Sequence, residues 1–140
     1  IAGGDGHSRP IELVGREVPV IQRAPGVVWF DFATLCGGPR SQTDYLALVQ
    51  RHHTVFLSAI PRLGKESASE ARRFTWLIDI LYDHRVKLIA CADVPAEEIY
   101  TEGTQATEFH RTVSRMVEMR SQEYLASPHR LEDVVKEDAR

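Results

Sequence analysis

The sequence predicts an α/β fold with a small, mainly parallel sheet of three core strands, flanking helices and an N-terminal β-hairpin. Apolar, strand-like runs lie near residues 28, 56 and 88, and amphipathic helical segments separate them. Strands that alternate with helices along a chain are typical of a parallel sheet. The chain has 140 residues, of which 43% are hydrophobic, so it is long enough to form one domain with a buried core.

The N-terminal part of the sequence predicts the hairpin and the first core strand. Residues 11–14 and 17–21 are short β-prone runs with Gly15 and Arg16 between them, which indicates a hairpin. Ala24, Pro25 and Gly26 mark a turn. The apolar run at residues 27–30 then predicts the first core strand.

The central part predicts a helical turn, a helix and the second core strand. Residues 31–36 favour a short helical turn that ends at the glycines following Cys36. Ser41 and Asp44 have the spacing of an approximate capping box, which predicts that a helix begins at this point. The apolar residues 54–60 form the second strand, which Pro61 ends.

The remaining elements are a long helix, a third strand and a final helix. Ser67 and Glu70 have capping-box spacing before an apolar stripe of helical period. Residues 86–92 are apolar except for Lys87, which predicts a strand buried on both faces. Residues 107–125 predict the final helix.

We predict one domain over residues 1–127 and a charged tail over residues 128–140. The first ten residues are rich in glycine and polar side chains and are expected to form a mobile lead-in. The tail is mostly charged and has little apolar periodicity, which is typical of a weak helix or a disordered segment. The chain starts on Ile1 rather than Met, which indicates a piece of a longer protein.

Composition excludes several classes of function. The formal net charge is −3 and the sequence pI is about 6.1, so the sequence has no overall basic character of the kind that nucleic-acid binding requires, and no nucleic acid is expected. No apolar run approaches the roughly 18 residues of a transmembrane segment. Cys36 and Cys91 both lie in apolar runs, which predicts two reduced, buried thiols and no metal site.

Three longer stretches are more specific: RRF at residues 72–74, LIDILYD at residues 77–83 and RTVSRMVEM at residues 111–119. In these stretches, and over roughly residues 13–125, the chain resembles the C-terminal third of the ZapE/AFG-type P-loop ATPases, an AAA+-like family. The resemblance implies that the parent protein hydrolyses ATP with Mg²⁺. It also implies that the Walker A loop, Walker B acids and arginine finger lie upstream, so we expect this fragment of a P-loop ATPase to bind no cofactor and to be inactive alone.

The resemblance also implies partners and a location. The first expected partner is the upstream P-loop domain of the same protein. Bacterial members are linked to cell division through the tubulin-like division protein, and mitochondrial relatives to protein quality control. The implied location is the bacterial cytoplasm, and an oligomer is compatible with the family.

Four arginines are the candidate catalytic residues, although the sequence makes none of them certain. Arg72 and Arg73 open a helix, and Arg111 and Arg115 lie four residues apart on one face of another helix. A guanidinium group matches phosphate oxygens and stabilises charge during phosphoryl transfer, which suggests sensor-like or intersubunit arginines. The alternative is that these arginines pair with carboxylates and stabilise the domain.

Asp79 and Asp83 lie four apart on one helix, so both carboxylates can face one way. Such a pair can bind Mg²⁺ or act as acid and base. A salt bridge from Asp79 to Arg72, Arg73 or Arg111 is the simpler interpretation, because an unpaired carboxylate in an apolar helix is costly.

Two other functions compete with a domain of an ATPase. A self-contained small α/β enzyme would place its site at the carboxyl ends of the strands, with Asp31, Ser58 and Asp93 as first candidates. A pure protein-interaction module would use the last helix and the tail. A pocket lined by the three named residues would favour the enzyme, and a flat exposed apolar surface would favour a docking domain.

Overall fold

A computed structural model describes residues 6–126 and 128–129, which form six strands and five α-helices. The strands are β1 (Ile11–Leu13), β2 (Arg16–Val18), β3 (Gln22–Ala24), β4 (Val27–Asp31), β5 (Thr54–Ile60) and β6 (Lys87–Ala92). The helices are α1 (Phe32–Cys36), α2 (Gln42–Arg51), α3 (Ala68–Asp83), α4 (Phe109–Glu118) and α5 (Gln122–Ala126). Short 3-10 turns lie at Lys65–Ser67 and Ala96–Glu98.

The main sheet has four strands in the order β3-β4-β5-β6. β4, β5 and β6 are parallel, and β3 pairs antiparallel with β4. The predicted mixed α/β class is confirmed, but the predicted three-strand sheet was incomplete because β3 was not recognised. The turn at Pro25 and Gly26, where Gly26 has φ +75°, folds β3 back onto β4.

The predicted hairpin is present as a separate two-stranded sheet of β1 and β2. Its turn is at Val14 and Gly15, one residue earlier than predicted, and both residues have positive φ (51° and 78°), as a type I′ turn requires. The Arg16 guanidinium donates to both carboxylate oxygens of Asp44, at 3.0 and 2.9 Å. Asp44 is buried near the start of α2 and also accepts from the Ser41 N–H at 2.8 Å. The Asp44 carboxylate therefore stabilises the first turn of α2 and holds the β1–β2 hairpin against this helix.

The helices cover one face of the main sheet. Val28 and Phe30 of β4 and Val55 and Leu57 of β5 are at most 1% exposed and belong to the hydrophobic core. Aromatic rings extend this core from α1 through α3 to α4: Phe32 and Phe74 have ring centroids 5.8 Å apart, and Phe74 and Phe109 are 6.2 Å apart. Burial of these side chains is the main stabilising term of the fold.

The prediction that residues 86–92 are buried on both faces was wrong. β6 is an edge strand, Ile89 is 42% exposed, and residues 90–92 are exposed as well. An apolar strand with two neighbours would be covered, but within the described part of the chain β6 pairs only with β5.

The predicted final helix is two helices, because the chain turns at Ser121. The Ser121 hydroxyl accepts from the Tyr124 N–H at 3.1 Å and so begins α5. The buried Tyr124 hydroxyl lies 2.9 Å from the Leu81 carbonyl oxygen and 2.6 Å from that of Val86. These contacts fix α5 against the end of α3 and the start of β6.

The predicted lead-in and tail are only partly within the described residues. Residues 1–5 and 130–140 lie outside them. His7 exchanges two backbone hydrogen bonds with Arg23, at 2.9 and 2.7 Å, which attaches this part of the lead-in to β3. His129 Nε2 lies 2.6 Å from the Val49 carbonyl oxygen. The division of the chain at residue 127 therefore stays a prediction.

We predict that Arg16→Ala lowers the free energy of unfolding by about 1–3 kcal/mol, because it leaves the buried Asp44 carboxylate without its cation. Asp44→Ala should also destabilise the protein, and the double variant should lose less than the sum of the two, since both changes remove one interaction. Urea denaturation measures all three values. Glu17→Ala, an exposed position on the same hairpin, is the matched control; strictly additive losses would show that the pair is not coupled.

A second prediction concerns pH. His52 is buried after α2, where Nδ1 donates to the Leu48 carbonyl oxygen at 2.8 Å, and burial lowers its pKa below the ordinary 6.5. The unfolded chain therefore binds a proton that the folded chain does not, so stability should fall as the pH drops below about 6.5.

His52→Gln should flatten this dependence, and thermal unfolding midpoints between pH 7.5 and 5 measure it. His110→Gln changes an exposed histidine and is the control. An equal acid dependence in the wild type and in His52→Gln would contradict the assignment to His52.

Candidate functional site

Two of the four candidate arginines make contacts within the domain. Arg73 Nε donates to the carbonyl oxygen of Cys36 at 2.7 Å, which fastens α3 to the end of α1. Arg115 donates to the Asp79 carboxylate and lies over the Tyr82 ring, 5.4 Å from its centroid. The predicted salt bridge of Asp79 is therefore present, but its partner is Arg115, which projects from α4 onto α3, and not Arg72, Arg73 or Arg111.

The other two candidates, Arg72 and Arg111, are exposed. Neither side chain makes a hydrogen bond or ion pair with any described residue. Arg72 lies on the seam between α3 and α4, where it lines a cavity of about 100 Å³ together with Glu108 and Thr112. The structure thus does not gather the four guanidinium groups into one cluster, and Arg111 and Arg115 differ in surroundings although they share a helix.

The seam between α3 and α4 is a regular packing interface. Thr112 Oγ1 lies 3.3 Å from Thr75 Oγ1, and the Arg115–Asp79 pair follows one turn later. Both side chains of that pair are 33% exposed, so solvent screens the attraction and its contribution to stability is small. Asp83 is exposed, which leaves Asp79 and Asp83 in different environments.

The sheet brings together two of the three residues of the alternative enzyme hypothesis, since Asp31 and Ser58 are register partners at the carboxyl ends of β4 and β5. Asp31 Oδ1 accepts from the Ala33 N–H at 3.0 Å and caps α1. Ser58 Oγ accepts from Trp29 Nε1 at 2.9 Å, and Asp93 is exposed. Asp31, Ser58 and Asp93 are absent from the lining of five of the cavities on the described residues. In the same part of the chain no three His, Cys, Asp or Glu side chains converge as a metal site would need.

The two cysteines have different environments. Cys36 is fully buried, and burial raises the pKa of its thiol to about 12. Cys91 is exposed, so the prediction of two buried thiols was wrong for this residue. The reason is the position of β6 at the edge of the sheet.

The main sheet has an uncovered face, which sequence reasoning missed. The strand register places four side chains in one row across all four strands: Gln22, Trp29, Phe56 and Ile89. We call this row the open face. The Trp29 and Phe56 rings lie 6.1 Å apart and are half-buried, and Ile89 is 42% exposed.

At the β3 side, the open face has a shallow depression and no deep pocket among the cavities described. A depression of about 270 Å³ lies there, lined by Gly6, Gln22, Arg23, Ala24, Val27, Trp29 and Phe56. The signal in the sequence was the lack of apolar–polar alternation in VVWF and TVFL: Trp29 and Phe56 are large and apolar at positions opposite in phase to the core residues. An outward face of that composition is typical of a surface that another layer covers.

These observations define the class of the protein: a mixed α/β domain whose helices lie on one face of the sheet and whose other face carries the half-buried Trp29 and Phe56 and the exposed Ile89. No helix within the described ranges combines the length and the apolar character that a membrane span requires. A search of solved structures finds no match.

Sequence comparisons identify the family. Residues 2–128 match the model of the AFG1-like ATPases. The chain is 40% identical over 130 residues to the cell division protein ZapE of Escherichia coli K12, which covers 92% of this chain and 35% of ZapE. It is 34% identical to an uncharacterized protein of Schizosaccharomyces pombe (87% of this chain, 33% of the relative) and 28% identical to lactation elevated protein 1 homolog B of Danio rerio (87% and 31%).

The chain belongs to the AFG1-like ATPase family. It spans about a third of the length of the curated relatives that it matches. The resemblance predicted from the motifs at residues 72–74, 77–83 and 111–119 is therefore confirmed.

Proposed function

We propose that this chain is a structural and docking domain of an AFG1-like ATPase and does not hydrolyse ATP by itself. The open face is the surface that docks onto the P-loop part of the same protein. The observation that supports this most directly is the asymmetry of the sheet: Val28, Phe30, Val55 and Leu57 are covered by helices, whereas the row that contains Trp29 is not. Parallel sheets in α/β proteins are normally covered on both faces, so a second layer is expected here.

The sequence is consistent with a nucleotide site that lies in another part of the protein. The 140 residues contain no GxxxxGK[ST] motif, whose glycine-rich loop cradles nucleotide phosphates. In the proposal, ATP and Mg²⁺ are bound by the P-loop part, and this domain positions that part or supplies side chains to it. The exposed apolar surface matches the criterion for a docking domain, and no described cavity unites the residues that the self-contained enzyme would use.

Among the four candidate arginines, Arg72 and Arg111 are the better donors to a nucleotide site. Arg73 and Arg115 already bind Cys36 and Asp79, so moving either guanidinium to a phosphate would break an existing contact. Arg72 and Arg111 are exposed on the helical side of the sheet, so they could serve a segment of the P-loop part that approaches from that side, and neither would lose such a contact. An arginine that stabilises the transferring phosphoryl group acts without general acid or base chemistry, which fits the absence of a gathered acid–base set among the described residues.

The biological role follows from the relatives only as a proposal. One relative is named a cell division protein, and we propose that this chain serves in a cytoplasmic bacterial ATPase of that kind, with the tubulin-like division protein as the partner to test. Protein quality control, the role implied for mitochondrial relatives, is the alternative. Coprecipitation of the tubulin-like protein with the longer ATPase would support the first role, and its absence at micromolar concentrations would contradict it.

The docking proposal predicts a change in the reactivity of Cys91, which follows Ile89 on the same side of β6 by alternation. In this chain alone, a thiol reagent should label Cys91 rapidly, while buried Cys36 reacts only after unfolding. In the longer protein that the proposal requires, Cys91 should be protected because the second layer covers it. Peptide mass spectrometry after timed alkylation measures both cysteines, and Cys36 is the internal control.

ATP turnover tests the proposal that this chain does not hydrolyse ATP by itself but is needed for hydrolysis by the longer protein. The purified chain should show none, and Ile89→Asp in the longer protein should lower its turnover at least about tenfold by placing a charge in the docked surface. Val14→Asp, an equally polar change at an exposed position on the hairpin, is the matched control. Turnover by the chain alone, or equal labelling of Cys91 in both proteins, would refute the proposal.

A separate prediction concerns the arginines. In the longer protein, Arg111→Ala or Arg72→Ala should lower kcat at least about tenfold and leave the unfolding temperature unchanged. Arg115→Ala should leave kcat unchanged and lower the unfolding temperature only slightly, since it frees Asp79 and uncovers Tyr82 but removes a partly exposed pair. If neither exposed arginine affects kcat, this domain supplies no arginine to the nucleotide site.

A further inference from the structure

The outer edge of β6 presents unpaired backbone groups. Lys87 N–H donates to the His53 carbonyl oxygen at 2.8 Å, and Asp93 N–H donates to that of Ile60 at 2.9 Å. Because backbone groups alternate sides along a strand, the N–H and C=O groups of Leu88, Ala90 and Ala92 point away from β5. Within the described residues, no strand pairs with this edge.

This edge lacks the features that protect a natural sheet edge. Proteins usually place charges, prolines or bulges at exposed edges to prevent pairing with other chains. β6 has no proline, and its one charged residue, Lys87, is the first of the strand. The irregularity in this part of the sheet lies between Leu57 and Ile60, on the side of β6 that is already paired, so it does not disturb the outer edge.

An apolar groove runs beside the edge on the helical side of the sheet. It has a volume of about 250 Å³ and lies between β6 and α4. Leu88, Ala90 and Ala92 form one wall and Met116 and Val117 the other, and the lining is apolar apart from Arg120. The methionine and the small alanine side chains leave space that alternate side chains of an added strand can fill.

The surroundings of the edge select the kind of strand that would fit. On one side, an added strand would place its side chains in the apolar groove; on the other side, they would extend the open face beyond Ile89 and Cys91. Such a strand must be apolar on both faces. That is the pattern of an internal strand of a parallel α/β sheet, whereas a linear peptide bound at a protein surface keeps one face polar.

We propose that β6 is an internal strand of a larger sheet and that the next strand comes from the part of the same protein outside this chain. The inference rests on the proposed function and adds to it a specific contact: backbone pairing at residues 88, 90 and 92, beyond the packing of the open face. About two-thirds of each curated relative lies outside the region matched here, which is ample for a further strand. The sequence of β6 is apolar and predicts a buried strand, although β6 lies at an edge here. A neighbouring strand from the rest of the protein would account for both observations.

Amide hydrogen exchange tests the pairing. In this chain alone, the Leu88, Ala90 and Ala92 amides should exchange rapidly, whereas the Ile89 amide, which the register pairs with β5, should be protected. In the longer protein, the three outward amides should slow by on the order of 100-fold, and the Ile89 amide should change little.

Ala90→Pro provides a variant test. Proline removes an outward N–H, which an edge strand tolerates, so this chain should keep its unfolding midpoint while the longer protein loses protection at Leu88 and Ala92. If Ala90→Pro unfolds the isolated chain, Ala90→Lys, which keeps the N–H and places a charge in the groove, replaces it with the same expected loss.

The outcomes separate the two proposals. Protection of Cys91 together with slow outward amides supports both. Protection of Cys91 with outward amides that exchange as in the isolated chain overturns the strand pairing and leaves the docking domain intact. Outward amides that become protected in this chain alone, as it dimerises at high concentration, would assign the edge to a second copy and overturn the inference. Unprotected Cys91 and unprotected amides in the longer protein would overturn both.

Discussion

The one-sided burial of the main sheet is the constraint on which the rest of this structure depends. Phe30 and Leu57 are fully enclosed by the helices, while Trp29 and Phe56, one residue away on the same strands, are only half-buried. At roughly 25 cal/mol per Å² of apolar surface removed from water, covering two such rings and Ile89 would contribute a few kcal/mol. The free energy still available on this face is therefore a driving force for association, and it explains why a domain with a complete core also has an apolar exterior.

The four candidate arginines differ in whether their guanidinium groups are free to bind another group. Arginine binds phosphate well only when its guanidinium is not already committed to another acceptor. Arg73 and Arg115 are engaged in holding α3 to its neighbours, which makes them part of the scaffold. Arg72 and Arg111 are exposed on that scaffold. In the proposed function, this combination of a rigid helix pair and an uncommitted side chain would lend a cation to a nucleotide bound elsewhere.

Local sequence signals predicted the element order, because they depend on neighbours along the chain. Ser41 and Asp44 have the spacing that begins α2, and the apolar runs at residues 27–30 and 54–60 identify β4 and β5. The prediction errors arose at elements whose structure depends on contacts with a second segment, distant along the chain. Gln22–Ala24 becomes a strand only because β4 lies beside it, and α5 is separate from α4 because Ser121 begins it and the Tyr124 hydroxyl reaches the distant Val86 carbonyl oxygen. The same holds for the candidate site. All four arginines could be selected from the sequence, but the sequence did not show which of them bind other groups within the domain, as Arg73 binds Cys36 and Arg115 binds Asp79.

By itself, the sequence determined the α/β class, the order of most helices and strands, and the family, since each is written in local periodicity, capping residues and long motifs. Only the tertiary structure decided that β6 lies at an edge, that Cys91 is exposed and that one face of the sheet is open. An apolar run records that a strand is suited to burial, but not which segment buries it. Which segment covers a strand depends on contacts between distant parts of a chain, and the hydrophobic pattern does not specify those contacts.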